Sequence, residues 1–348
     1  MIKKFLSIFL AVVMVFSMSS SVFATETPSA NQISSFEVDP TITAYAENVL
    51  PSHIHALGYG TDYYLGTPFT VTDVSTKALT YFYPVIVNNS LALLLQVNKD
   101  TSGELSSSLS ESFAGALDGL LSSAEGNVYQ LSTDGNHLMA NSDSDFMLLY
   151  TIYEEADAVE MFSTSQDLPK GNLVLSRDDL FNMSDSGMAI EYRPDGPNSY
   201  KTLDVAGVSQ GSKPWCWAAT CAAMINFYKN EGLSASDVAN YIFPDNPDQG
   251  GTWDNMKKAY NHWGLYPTQK SKISFSSIIS TIDGNDPMHL GLVGHSVGLI
   301  GYEDWDSQDI LIILEPNGGI HKSVTLKSNG NFNYYLSGND AWRYTRMF

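Results

Sequence analysis

The sequence predicts an α+β protein built from two unlike halves. Three observations carry this reading. The 348 residues exceed one ordinary core at about 100–200 residues per domain. Helix-period and strand-period segments are grouped rather than alternating as βαβ units. Charge is divided unevenly: residues 1–201 hold 8 basic and 24 acidic residues, whereas residues 202–348 hold 10 and 14. Hydrophobic content of 43% with 12% aromatic excludes a wholly disordered chain. A net charge of −20 argues against a nucleic-acid partner, because phosphate contacts need clustered Lys and Arg. Two cysteines cannot staple a chain of this length or supply a four-thiolate zinc site.

Residues 1–24 read as an export signal. Lys3 and Lys4 precede a nearly unbroken apolar run from Phe5 to Phe16, and Val22-Phe23-Ala24 offers a cleavage site. The run is shorter than the ~20 residues a membrane span needs, and no later stretch is long and apolar enough. The expectation is a secreted chain with no membrane span once the signal is removed. Thr25 to Ser35 reads as a flexible leader. Residues 41–50 form a short helix ended by Pro51. Phe69 to Val74 alternates as a strand, and Leu79 to Val87 pairs with Leu91 to Val97 as a hairpin through Asn88-Asn89-Ser90. Apolar residues at 109, 113, 116, 117, 120 and 121 predict a helix over 108–123. Short strands follow near 128–132, 146–153 and 172–175.

Residues 184–201 collect Gly, Pro, Ser and Asp and read as a linker, with Arg193 and Lys201 as exposed cleavage points. The domain assignment is therefore signal 1–24, acidic α+β region 25–201 and a second domain 202–348. In the latter, Trp215 to Glu231 is a helix capped by Gly232, Asp254 to Trp263 a second ended by Gly264, and Phe275 to Ile282 a third. Strands follow at Met288 to Val293, His295 to Tyr302, Ile310 to Glu315 and His321 to Leu326, with a turn over Glu303–Asp309.

Chemistry gathers in this second domain. Pro214 sits just ahead of a helix and Cys216 falls in its first turn. The positive end of a helix favours an anion there, and the first-turn N–H groups lack helical acceptors and can serve an oxyanion. Cys221 lies roughly 140° around the helix and reads as a packing residue. The same angle disfavours a Cys216–Cys221 disulfide. A nucleophilic thiol needs a base. His295 opens a strand ending in Gly301-Tyr302 and is the candidate, whereas His289 lies inside an apolar strand. His53 and His55 are weak metal signals, so no metal or cofactor is expected. The acceptor that orients the base is Glu315 or Asn317, both at the end of the neighbouring strand.

Gln210-x5-Cys216-Trp217-Ala218, then His295-x-Val297-x3-Gly301-Tyr302, then a strand ending in the orienting residue, resemble the papain-like cysteine peptidases, and most nearly the staphopain-type bacterial enzymes. The likeness covers about residues 203–348. It implies a papain-like domain with a helical first part around the nucleophile helix and an antiparallel sheet after it. It implies Cys216 as nucleophile, His295 as general base and Gln210 as oxyanion donor, with Glu315 standing where that family carries Asn or Asp. It further implies that residues 25–201 are a pro-region acting as intramolecular inhibitor of a zymogen; an accessory binding module is the other reading. Trp217, Gly251 and Trp253 are candidates for lining the groove that takes a peptide substrate. A papain-fold acyltransferase or crosslinking enzyme would share the acyl-enzyme chemistry. A non-catalytic extracellular binding protein would keep only the fold.

Overall fold

The computed structural model describes residues 29–152, 168–181, 196–336 and 338–348. The export-signal reading of 1–24 and most of the linker reading, including Arg193, lie outside the described residues. Among those described there are seventeen strands and seven helices.

The first half is built around the hairpin β4 (Leu79–Val87) and β5 (Ser90–Lys99). Asn88 and Asn89 both take positive φ, +50° and +61°, the pair of conformations a two-residue turn matching strand twist requires. Side chains then alternate. Phe82 and Leu94 join Phe69, Leu117 and Leu131 on one face, whereas Tyr83, Leu93 and Leu95 join Ile42, Val49 and Leu50 on the other. Helix α2 (Ala114–Ser122) covers the first face and α1 (Pro40–Ala56) the second.

Three expectations for this half are corrected. The leader is not wholly irregular, because Gln32–Ser35 forms β1 between β10 (Leu173–Leu175) and β7 (Val128–Thr133). Helix α1 does not stop at Pro51 but runs through it to Ala56. Ser52, His53 and Ile54 beyond it are buried, and burying that last turn outweighs the roughly 3 kcal/mol a helix-interior proline costs. The predicted 108–123 helix starts later. Leu105–Ser110 is strand β6, paired with β5 and with β16 (Ile320–Leu326), so a hairpin neighbour and one distant strand together outcompete the local helical spacing.

In the second half, α4 (Cys216–Lys229), α5 (Ala235–Ile242), α6 (Trp253–His262) and α7 (Phe275–Asp283) pack against an antiparallel array. Its strands are β11 (Ser199–Thr202), β13 (Met288–Leu292), β14 (Ser296–Trp305), β15 (Gln308–Glu315), β16 and β17 (Trp342–Met347). β11 pairs with β14, so residues 199–201 are strand rather than linker. The turn between β14 and β15 is tighter than Glu303–Asp309, with Trp305 already paired to Gln308. Three elements were not anticipated: α5, whose start is a Ser234–Asp237 capping box, the short strand Thr268–Lys270, and β17. The C-cap of α4 is Asn230, at φ +57°, not Gly232.

The halves share one hydrogen-bonded array, because Ser108 and Leu109 of β6 pair with Val324 and Ser323 of β16. Side chains reinforce the seam. The two ring nitrogens of His53 meet the hydroxyls of Ser323 at 2.7 Å and Ser107 at 2.9 Å, and burial lowers its pKa to about 3, which keeps it neutral. His55 Nδ1 lies 2.6 Å from Glu303 Oε1, while Trp305 Nε1 donates to Glu303 Oε2 at 2.8 Å. No described helix is long and apolar enough to cross a membrane.

Asn230 tests the local rule at the end of α4. Asn230→Val should lose about 1–2 kcal/mol, because a branched side chain is disfavoured at positive φ. Asn230→Gly should unfold at the wild-type denaturant concentration or above it.

Candidate active site

Cys216 is the first residue of α4 and is half-buried. The N-cap, Trp215, offers no side-chain acceptor to the first turn, so those N–H groups stay available to an incoming negative charge. Two tryptophans pin the loop beside this turn. Trp215 Nε1 donates to Pro247 O at 2.7 Å and Trp217 Nε1 to Gln249 O at 3.1 Å. One turn into the helix, Thr220 Oγ1 meets Cys216 O at 2.9 Å and Ser296 O at 3.2 Å. That hydroxyl ties α4 to the residue following His295.

His295 sits in a tight turn at the start of β14, where Leu292 N donates to His295 O at 2.8 Å and Gly294 supplies φ +72°. Its ring is fully buried. Nε2 donates to Glu315 Oε1 at 3.0 Å. Glu315 closes β15, and pairing of Gly298 with Leu314 brings that strand end beside the start of β14. Asn317 N also donates to Glu315 Oε1, at 2.8 Å. Of the two residues open as orienting acceptor, Glu315 takes the imidazole. The Asn317 side chain turns away to donate to Thr151 O at 2.6 Å.

Burial alone would depress the His295 imidazolium. The Glu315 carboxylate and then the Cys216 thiol outweigh it, and the pKa is pushed up to about 10. Nδ1 is buried with no hydrogen-bond partner and is the nitrogen left for the thiol. Linkage follows in sign: a folded pKa above the unfolded value of about 6.5 stabilises fully below that value, and the contribution is lost as pH rises through about 10.

Cys221 is buried among apolar residues, and burial pushes its thiol up to about 12. Its place on the helix buries it, as the place of Cys216 leaves that thiol half-exposed. Both cysteines are free. His289 is buried with Nδ1 2.7 Å from Tyr260 Oη, and burial lowers its pKa well below the ordinary value. His262 stacks on Tyr241 at 3.9 Å. Among the described residues no three His, Cys, Asp or Glu gather as a metal site.

Gln210 is buried between three carbonyls. Its N–H donates to Pro316 O at 2.8 Å, and Nε2 reaches Lys213 O at 3.3 Å and Ile152 O at 3.4 Å. Its Oε1 has no partner. Trp217 is 1% exposed, and a Cβ on Gly251 would stand 2.3 Å from its ring. These two residues therefore pack on each other and hold the loop, with Trp217 buried and Gly251 half-buried. Trp253 is half-buried with the Arg346 guanidinium 5.1 Å over its ring.

Glu315→Gln removes the negative charge from this contact. The His295 midpoint, followed by NMR of the ring, should then fall from about 10, because burial still disfavours the charge and only Cys216 is left to oppose it. Alkylation of Cys216 near neutral pH should slow with it.

Residues 202–344 match the model of the Peptidase_C39 like family, which is less than half of the chain. No curated protein matches. Similar solved structures include two from different sources. One comes from work on the mite allergens Blo t 1 and Der p 1, at 16% identity and TM-score 0.28, covering 42% of this chain and 72% of that one. The other is UfSP from C. elegans, at 9% identity and TM-score 0.27, covering 68% of this chain and 52% of that one. The match over residues 202–344 supports a cysteine peptidase fold for the half that carries Cys216, His295 and Glu315.

Proposed function

We propose that this protein is a secreted cysteine endopeptidase, staphopain-type in its motifs, made as a zymogen. The observation that carries the reading is one juxtaposition. A half-buried thiol at an uncapped helix N-terminus adjoins a buried imidazole, whose far nitrogen donates to a buried carboxylate. That is the arrangement of nucleophile, base and orienting group that acyl transfer needs.

In this reading the Cys216 sulfur attacks the carbonyl carbon of a peptide bond, and the carbonyl oxygen becomes an oxyanion. The first-turn N–H of Cys216 and the Gln210 amide stabilise it. His295 Nδ1 delivers its proton to the leaving amine as the C–N bond breaks and the thioester forms. Water then attacks the thioester, giving up a proton to His295, and the acid leaves as the thiol is restored. Glu315 keeps the imidazole oriented and compensates its charge throughout.

The same geometry supports an inhibitory role for the first half. Its strand β9 (Phe146–Thr151) ends at the site. Thr151 O and Ile152 O accept from Asn317 and Gln210, and the Ile152 side chain is buried in the core of the second half. A backbone carbonyl thus occupies the amide that would otherwise receive a substrate oxyanion. This supports residues 25–201 as an intramolecular inhibitor removed after export.

The test is N-terminal sequencing of the full chain after incubation under reducing conditions. Wild type should acquire a new terminus between Ser184 and Lys201 and hydrolyse casein. Cys216→Ala should do neither and should fail to take an epoxide thiol inhibitor; full labelling of that variant would move the nucleophile to Cys221. Ile152→Gly, which withdraws the buried anchor, should raise the initial hydrolysis rate of the unprocessed chain several-fold. An unchanged rate would remove the inhibitory role from this contact.

A further inference from the structure

We propose that Lys322 is a positioning residue of this site, acting through Glu315 as the buried counter-charge that holds the carboxylate against His295. The inference rests on the catalytic reading above and deepens it.

Lys322 lies in β16, where Ile313 pairs with Lys322 and Glu315 with Ile320. Alternation along paired strands puts the side chains of Ile313, Glu315 and Lys322 on one face. Glu315, Lys322 and Tyr334 line a single small void beneath the site, closed from the first half by Phe113, Tyr150 and Ile152. Lys322 Nζ donates to Tyr334 O at 3.0 Å and stands 4.3 Å over the Tyr334 ring. The other face of the arrangement is the triad, with the Tyr334 ring centroid 5.6 Å from that of His295. The titratable groups facing the ammonium are thus Glu315, Tyr334 and Tyr150, with His295 beyond the ring.

Charge accounting gives this lysine a purpose. With Cys216 and His295 as thiolate and imidazolium, that pair is neutral and Glu315 leaves the enclosed site at −1. Lys322 brings it to zero. A buried ammonium with one carbonyl acceptor is otherwise a costly choice on a strand where a leucine would pack. Burial lowers its pKa to about 8, with Glu315 opposing the fall, so at neutral pH it stays charged. Between about 8 and 10.5 the unfolded chain binds more protons at this group than the folded one, and stability rises with pH there. The charged lysine therefore works against stability, and a role in the site accounts for its presence.

Alkylation of Cys216 by iodoacetamide, read against pH on the full chain with the label located by mass spectrometry, tests this without needing peptide access. Buried Cys221 is the internal control. Lys322→Met should fold at least as stably as wild type, yet the acid limb of its profile should move up by about one pH unit, about tenfold in rate on that limb. Lys322→Arg should restore the wild-type profile. In a Glu315→Gln background Lys322→Met should add nothing, since the lysine acts through that carboxylate. A second reading needs no variant: the His295 ring signal of wild type should inflect near pH 8, below its own midpoint. Superimposable wild-type and Lys322→Met profiles, or no inflection near pH 8, would overturn the role of Lys322 alone. A wild-type Cys216 that alkylates no faster than a free thiol would overturn the catalytic reading together with it.

Discussion

His295 and Glu315 are both out of water, and neither could be charged there alone. Transferring one unpaired ion into a protein interior costs several kcal/mol even after relaxation. Their 3.0 Å contact therefore constrains everything around it. The register of β14 with β15 must bring the two strand ends together. The turn at Gly294 must aim the imidazole inward. The Asn317 N–H must hold the carboxylate oxygen from its other side. Thr220 then sets the distance between this pair and the thiol, because it bonds the helix that carries one to the strand that carries the other.

The first half contributes to that enclosure directly. β6 extends the sheet of the second half, and Phe113, Tyr150 and Ile152 close the void over Glu315 and Lys322. An acidic region joined in this way does two physical things at once. It removes water from the buried charges, which strengthens their interaction, and it lays backbone carbonyls on the side-chain amides of Gln210 and Asn317. In the proposed zymogen, release of this region would change both the accessibility and the dielectric surroundings of the site.

Much of this was legible locally. The Asn88-Asn89 pair between two β-rich runs leads to the hairpin because both asparagines tolerate positive φ. Cys216 after Pro214 leads to a helix start, and His295 before an apolar alternating run leads to a strand start. The two cysteines separate by angle on one helix, and their burial agrees. Errors arose where distant partners overruled local preference. Pro51 reads as a stop, yet α1 continues because its last turn is buried against the far half. Residues 105–110 fit the approach to a helix, yet they pair with two strands, one from 200 positions on. Lys322 gave no signal at all, since one lysine in a short strand is ordinarily an exposed one.

Composition, spacing and turn chemistry by themselves determined the mixed helix-and-strand character, the helix that starts at Cys216, the histidine strand and a carboxylate or amide at the neighbouring strand's end. These follow from interactions between residues close in sequence, which a linear reading contains. Only the tertiary structure decided that Glu315 rather than Asn317 faces the imidazole, that Gln210 is already met by Ile152, and that a lysine lies buried beneath the carboxylate. Each of these depends on which strands pair and in which register. A shift of one residue there turns every side chain to the opposite face, and no local pattern specifies it.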